Sequence, residues 1–377
     1  YGRQQITEAD IEAVAAALRS DFLTTGPEVA AFEREFAAAV GAPYAVAVSS
    51  GTAALHLGAL ALGWGQGTRV ITSPMTFSAS ANCVRYAGGE VDFVDIDPES
   101  GLMDLDLLEQ KLSAAPRGYY QGIVPVDYAG LAVDMERVAD LAKAYDCRIL
   151  EDSCHAPGGY FIDNQGNKGL CGSGSYADAA IFSFHPVKHI ACGEGGMVTT
   201  AHESLYKHLL RLRTHGITRE PDLLHENPGG WYYEMQELGF NYRLSDIQAA
   251  LGRSQLQRLG QGIAMREQQA RRYTEALADL PIGLPPHAPG HAWHIYVIRT
   301  ERRAELYNYL HSQQIRVQVH YIPVHYQPYY QQLGWKKGDF PRAERFYDQC
   351  LSLPLYVGLE EEEQAYVIDK VCKFFND

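Results

Sequence analysis

An α/β fold, with a mostly parallel central sheet flanked by helices and a smaller C-terminal α+β domain, is what this 377-residue sequence predicts. Three observations carry it. Short apolar runs alternate with helical periodicities through the first two-thirds of the chain, the pattern of strand–crossover–strand units. Small or polar residues follow several of these runs, where sheets of this kind collect ligands. A long helical stretch and a Pro and Gly cluster at 281–290 then end the alternation. Residues 1–245 are therefore expected to form the large ligand-binding domain, and 246–377 the small domain with its connecting helix.

The elements follow in order. Thr7 with Asp10 suits the start of a helix whose Ile11, Val14, Ala15 and Leu18 share one face. Pro27 suits the first turn of a second helix, with Phe32, Phe36 and Val40 inward. Strands are expected at Tyr44–Val48, Arg69–Thr72, Val91–Asp95, Gly122–Val126, Arg148–Asp152, Ala179–Phe184 and Met197–Thr200, where β-branched and other apolar residues dominate between turn signals. Helical periodicity fills Thr52–Leu62, Leu105–Leu112 and Met135–Tyr145 between them. The C-terminal third reads as a long helix over Asp246–Leu280, strand Trp293–Arg299, helix Arg302–Gln313, strand Arg316–Tyr321 and a closing helix over Glu360–Phe374.

Composition bounds the partners. A net charge of -14, from 32 Lys and Arg against 46 Asp and Glu, disfavours a non-specific grip on nucleic acid or an anionic membrane. Any phosphate must then be held by local groups. The 7 cysteines form no C-x-x-C pair, which argues against a zinc ribbon or a disulfide framework and for a reducing cytoplasm. No apolar run approaches the length of a membrane span. His320 and His325 raise a metal site, but no carboxylate or cysteine pattern accompanies them, so no metal is expected.

Chemistry gathers at strand ends. Lys188 closes the run Ala180–Lys188, lies between His185 and His189, and precedes Gly193-Glu194-Gly195-Gly196. A lysine amine near a strand-end carboxylate is what pyridoxal phosphate needs: one forms the Schiff base, the other faces the pyridinium nitrogen. Asp152, ending Arg148–Asp152, supplies such a carboxylate, or is an ordinary N-cap acid. His155 is placed to reach the ring's 3-oxygen, or to pack. Ser49-Ser50-Gly51-Thr52 runs from a strand into a helix, where free N–H groups hold a phosphate; a plain N-cap is the alternative. Ser183 offers a further hydroxyl. Phe77, after Arg69–Thr72, is placed to stack on a ring or to join the core.

Ser49–Leu55, Glu151-Asp152-Ser153-Cys154-His155, Phe182–Lys188 with Gly193–Gly196, and Gly239–Asp246 together resemble the DegT/DnrJ/EryC1 nucleotide-sugar aminotransferases, from about residue 20 to the C-terminus. Within that family, His185–Lys188, Val319–His325, Gln327–Tyr330, Gly338–Pro341 and Leu351–Leu355 resemble most the enzymes of pseudaminic acid biosynthesis. The resemblance implies a type I aminotransferase fold and a homodimer with active sites at the subunit interface. It implies pyridoxal 5'-phosphate, with pyridoxamine phosphate as its aminated form, attached to Lys188. Asp152 would face the pyridine nitrogen, His155 the ring oxygen, and Gly51, Thr52 and Ser183 the phosphate. Asn241, or equally Arg243, would reach the phosphate of the neighbouring subunit. L-Glutamate is the implied donor and UDP-4-keto-6-deoxy-N-acetyl-L-altrosamine the acceptor. One departure is Ile190-Ala191-Cys192, where the family more often has threonines.

For the sugar, Tyr1, His320, Tyr321 and His325 offer stacking and hydrogen-bonding groups, or else a tyrosine-rich core edge. Rival readings are an aminotransferase for another nucleotide-linked keto sugar, such as that yielding UDP-4-amino-4-deoxy-L-arabinose, and a sugar dehydratase, disfavoured because those known replace the lysine with histidine. A non-catalytic vitamin binder and a nicotinamide oxidoreductase complete the set. Against the last, Gly172-Ser173-Gly174 lacks the third glycine of a dinucleotide fingerprint.

Overall fold

The computed structural model describes residues 1–376. Its first helices are α1 (Glu8–Arg19) and α2 (Pro27–Val40). Then come β1 (Tyr44–Val48), α3 (Gly51–Ala61), β2 (Arg69–Thr72), α4 (Ala79–Tyr86), β3 (Glu90–Phe93), α5 (Leu105–Ala114), β4 (Gly122–Val124), α6 (Met135–Tyr145) and β5 (Arg148–Asp152). A hairpin, β6 (Tyr160–Ile162) and β7 (Lys168–Leu170), precedes β8 (Ala179–Ser183), β9 (Gly196–Thr200) and α7 (Glu203–Arg213). The seven-stranded sheet runs β1-β9-β8-β5-β4-β2-β3. Only β9 is antiparallel to its neighbours β1 and β8; the remaining pairs are parallel.

Parallel strands need crossovers, and the crossover helices cover both faces, which is why these strands are apolar along their length rather than alternating. On one face Leu55 and Leu57 of α3 pack with Val70, Val124, Leu150 and Ile181. On the other, Phe36 of α2 meets Phe182 with ring centroids 4.8 Å apart, and Phe32 meets Phe184 at 5.1 Å. Both phenylalanines of α2 are fully buried, so truncating either to alanine would cost about 3–5 kcal/mol.

Thr7 and Asp10 cap α1 as expected, the Thr7 N–H donating to Asp10 at 2.8 Å. The same carboxylate pairs with Arg258 at 2.8 Å. Burial works against its charge, but hydrogen bonds from Arg258 and Ser254 hold its pKa at about 2. The apolar stripe of α1 behaves otherwise: Asp10 and Ala17 are buried while Ile11 and Leu18 are exposed.

A small antiparallel arm, β10 (Ile217–Thr218) with β11 (Glu234–Met235), leads toward the C-terminal third. The expected long helix is two, α8 (Asp246–Leu256) and α9 (Leu259–Leu277), separated at Gln257–Arg258. α8 packs on α1 and α2, while Ala270, Tyr273 and Leu277 of α9 join a separate core of the C-terminal third. There β12 (Tyr296–Arg299) pairs antiparallel with β13 (Cys350–Leu353), flanked by α10 (Arg303–Ser312) and α13 (Glu361–Asn376). The strand expected at Arg316–Tyr321 does not form: only Gln318 bridges, to Ser352. No helix among the described residues is long and apolar enough to cross a membrane.

Candidate active site

The carboxyl ends of β1, β5 and β8 open onto a cavity of about 400 Å³, which His294, just before β12, and His320 and Tyr321, between α10 and β13, also line. Asp152, the last residue of β5, is 5% exposed at its back wall. Ser80 Oγ donates to one of its oxygens at 2.6 Å, and the Cys154 N–H to the other at 3.2 Å. Thr76 Oγ1, 2.7 Å from Ser80 Oγ, fixes that hydroxyl in turn. The carboxylate is thus aimed by two elements and keeps lone pairs for a ligand.

Gly51 and Thr52 begin α3 at the cavity wall, behind the Ser50 side chain, which accepts from Ala53 N at 3.1 Å. Their N–H groups are among those a helix leaves without an intrahelical acceptor, so positive potential faces the cavity. Ser183 ends β8 beside them; a Cβ on Gly51 would lie 2.7 Å from Ser183 Cβ. Only a glycine lets α3 begin this close to the strand.

Lys188 follows β8 into the same space, its Nζ 3.5 Å from His294 Nε2. Burial lowers its pKa from the ordinary 10.5, and the neighbouring Cys154 and Asp152 oppose this. The rings of His155 and His294 lie with centroids 4.3 Å apart, tilted by 38°. Burial, with Lys188 next, pushes both imidazoles well below the usual range, so both are neutral at physiological pH. His155 Nε2 lies 3.0 Å from Tyr321 OH, and its buried Nδ1 has no partner among the described residues.

The sequence-expected residues Tyr1, Gly51, Thr52, Phe77, Asp152, His155, Ser183, Lys188, His320 and Tyr321 all line this cavity. Phe77 stands at its edge, 59% exposed, its ring 6.1 Å from that of Tyr321. Tyr1 meets the His320 ring edge-on at 4.5 Å, and His320 Nδ1 is 2.8 Å from Ser352 Oγ. Three expected residues lie elsewhere. His325 is fully buried outside the cavity, with Nε2 3.0 Å from Glu344 Oε1 and its ring against Phe340, because its short helical turn packs inward. Asn241 is exposed and bridges to Thr214, away from the cavity. Arg243 lines a separate small cavity with Glu33 and Arg213.

Sequence reasoning missed Ser80 and His294. Ser80 stands 72 residues from Asp152, and its signal was proximity to Phe77 in the turn after β2. His294 is 106 residues from Lys188, and nothing local marks it. Behind the site, Asp127 and Glu151 form a buried carboxyl pair, with Ser153 Oγ donating to Asp127 at 2.8 Å and the Gly172 N–H to both oxygens of Glu151 at 3.2 Å.

These features fit pyridoxal phosphate: an amine of lowered basicity, a buried carboxylate held ready for a ring nitrogen, a helix start for a phosphate, and an unpartnered imidazole nitrogen. In comparison with known proteins, residues 4–372 match the model of the DegT/DnrJ/EryC1/StrS aminotransferase family. The chain is 38% identical to the spore coat polysaccharide biosynthesis protein SpsC of Bacillus subtilis, over 98% of this chain and 95% of that protein. Spr1654 of Streptococcus pneumoniae, solved in its PMP form, superposes with a TM-score of 0.90 at 30% identity, covering 100% of this chain and 98% of that one. Helicobacter pylori PseC, an aminotransferase involved in the biosynthesis of pseudaminic acid, gives a TM-score of 0.89 at 30% identity, again over 100% and 98%.

Proposed function

Because the chain belongs to the DegT/DnrJ/EryC1/StrS aminotransferase family, we propose that this pyridoxal-phosphate-dependent transaminase moves an amino group from L-glutamate to the 4-keto group of UDP-4-keto-6-deoxy-N-acetyl-L-altrosamine in pseudaminic acid biosynthesis. The observation that carries it is the single cavity in which Lys188, Asp152 and the start of α3 face one another, together with the likeness to PseC along the whole chain.

When bound, pyridoxal phosphate supplies an electron sink for charge developing at the substrate carbon. Lys188 is the residue to which it attaches in this reading, and Gly51, Thr52 and Ser183 receive the phosphate. Asp152, oriented by Ser80 and Cys154, would keep the ring nitrogen protonated, and Phe77 would stack on the ring. With its amine free, Lys188 would take the proton from the donor α-carbon and, in the reverse half-reaction, deliver one to C4 of the sugar. Its lowered basicity keeps more of the amine in the form that accepts a proton. Tyr1, His320 and Tyr321 offer the hexose aromatic edges and polar atoms, and Asn241 serves the cavity of a partner subunit.

The likeness to SpsC, whose name places it in spore coat polysaccharide biosynthesis, favours a second acceptor class: another nucleotide-linked 4-keto or 3-keto sugar. One experiment separates the two. The purified holoenzyme is first mixed with L-glutamate alone, and the expected loss of its yellow absorbance with release of 2-oxoglutarate establishes the donor. A panel of UDP- and dTDP-linked keto sugars then follows. Turnover on the altrosamine derivative at least tenfold above the others supports the proposal, and preference for a different sugar removes it.

A further inference from the structure

Arg266 is a cation buried without a counterion. It projects from α9, is 3% exposed, and spends Nη1 on the carbonyls of Trp293, His294 and Leu355 at 3.1–3.2 Å. Its Nε has no partner, and no carboxylate among the described residues pairs with it. Burial alone pulls its pKa down to about 10, as expected for a guanidinium with no neighbouring negative charge. Carbonyl dipoles offset part of the desolvation, but a buried charge is retained at lower cost when an anion joins it.

Arg266 lines a second cavity, of about 260 Å³. Arg3, Arg258 and Lys188 also bound it, and no acidic side chain does. Arg258 is spent on Asp10 at 2.8 Å. That leaves Arg3 and Arg266 facing a space whose field is positive and whose volume suits a short dicarboxylate. Lys188 lines both this cavity and the cofactor cavity, so the two spaces adjoin at the residue that carries the amine.

We propose that this cavity is a carboxylate subsite, in which Arg266 and Arg3 hold the distal carboxylate of a dicarboxylic amino donor while its amine end reaches Lys188. It rests on the reading of the protein as a transaminase that uses such a donor, and it adds where the donor's second charge is recognised. Arginine suits the task because its planar fork meets a carboxylate with two parallel hydrogen bonds.

The test uses glutarate, which carries both carboxylates but has no amine to react. Its binding to the holoenzyme is measured by calorimetry in the native protein, Arg266→Lys and Arg3→Gln, with thermal midpoints recorded for each. Each variant is expected to weaken glutarate binding by about tenfold. Unchanged affinity in both folded variants overturns the proposal; should Arg266→Lys fail to fold, Arg3→Gln alone decides. UDP binding weakened in the same variants while glutarate is unaffected would assign these cations to a nucleotide diphosphate, and also overturns it. If L-glutamate leaves the absorbance unchanged yet glutarate binding still depends on Arg3 and Arg266, the donor assignment fails and the dicarboxylate site stands.

Discussion

At Lys188, one side chain joins burial to chemistry: its amine lies 3.5 Å from a neutral imidazole nitrogen and has a lowered pKa. Lys188→Ala is expected to cut transamination by ~10³-fold or more, since a positioned acid–base group and a covalent attachment point are lost together. An unchanged thermal midpoint would show the fold intact, and retained turnover would remove the lysine from the mechanism. Lys188 was legible in the sequence because its partners in the argument, Ser183, His185 and Gly193–Gly196, are its neighbours in the chain. His294 was not, because only the docking of the small domain brings it there. Glu151 makes a second residue-scale case. Burial, then the charge of Asp127, raises its pKa well above the ordinary 4.5, while Asp127 itself is raised to about 6. A carboxyl that keeps its proton longer when folded gives stability that is complete below its unfolded pKa and is lost as pH climbs through the folded one. Glu151→Gln removes that titration without changing size. The midpoint of the native protein should therefore fall relative to Glu151→Gln as pH rises from about 5 to about 9; parallel curves across that range would sink the idea.

Among the elements, the start of α3 depends on how close β9 lets it come. Gly196 pairs with both Val48 and Ser183, and a Cβ there would sit 2.4 Å from Ser50 O and 2.8 Å from Gly51 N. Those atoms are backbone and cannot rotate away, so Gly196→Ala must push the first turn of α3 outward. Overpacking of this kind costs about 1–3 kcal/mol, and the displaced N–H groups should bind the cofactor's phosphate less well. Titrating pyridoxal phosphate into the apo form of the variant is expected to show at least tenfold weaker binding; native affinity would mean that α3 does not hold the phosphate. The strands of the large domain were readable because a doubly covered strand is apolar along its own length, a local property. Arg316–Tyr321 alternates polar and apolar residues as a half-covered strand would, yet its backbone bridges to β13 only at Gln318, and pairing is not local. The break between α8 and α9 likewise carries no proline; it falls where α8 stays with α1 and α2 and α9 turns to the core around β12 and β13.

For the whole molecule, what one chain leaves uncovered points to a second copy. Ile11 and Leu18 of α1 are exposed, as are Trp231, Met235 and Leu238 along the β10–β11 arm, at 73%, 64% and 79%. Apolar side chains concentrated in this way usually mark an interface. Periodicity revealed the stripe on α1 but could not say that Ile11 and Leu18 would stay exposed among the described residues. The arm ends at Asn241, exposed and away from its own cavity, which is where a residue serving a partner's site would stand. A symmetric dimer exchanging this arm makes a prediction that a monomeric site does not. Lys188→Ala and Asn241→Ala should each be nearly inactive alone, since every site in either homodimer lacks one group. In a mixed dimer, one site combines the intact Lys188 of the Asn241→Ala subunit with the intact Asn241 of the Lys188→Ala subunit, and the other site lacks both. Random exchange of equal amounts makes about half the dimers mixed, with one working site of two in each, so roughly a quarter of native activity should return. Mixing that restores nothing, although mass measurement shows the subunits have exchanged, would confine each site to a single chain.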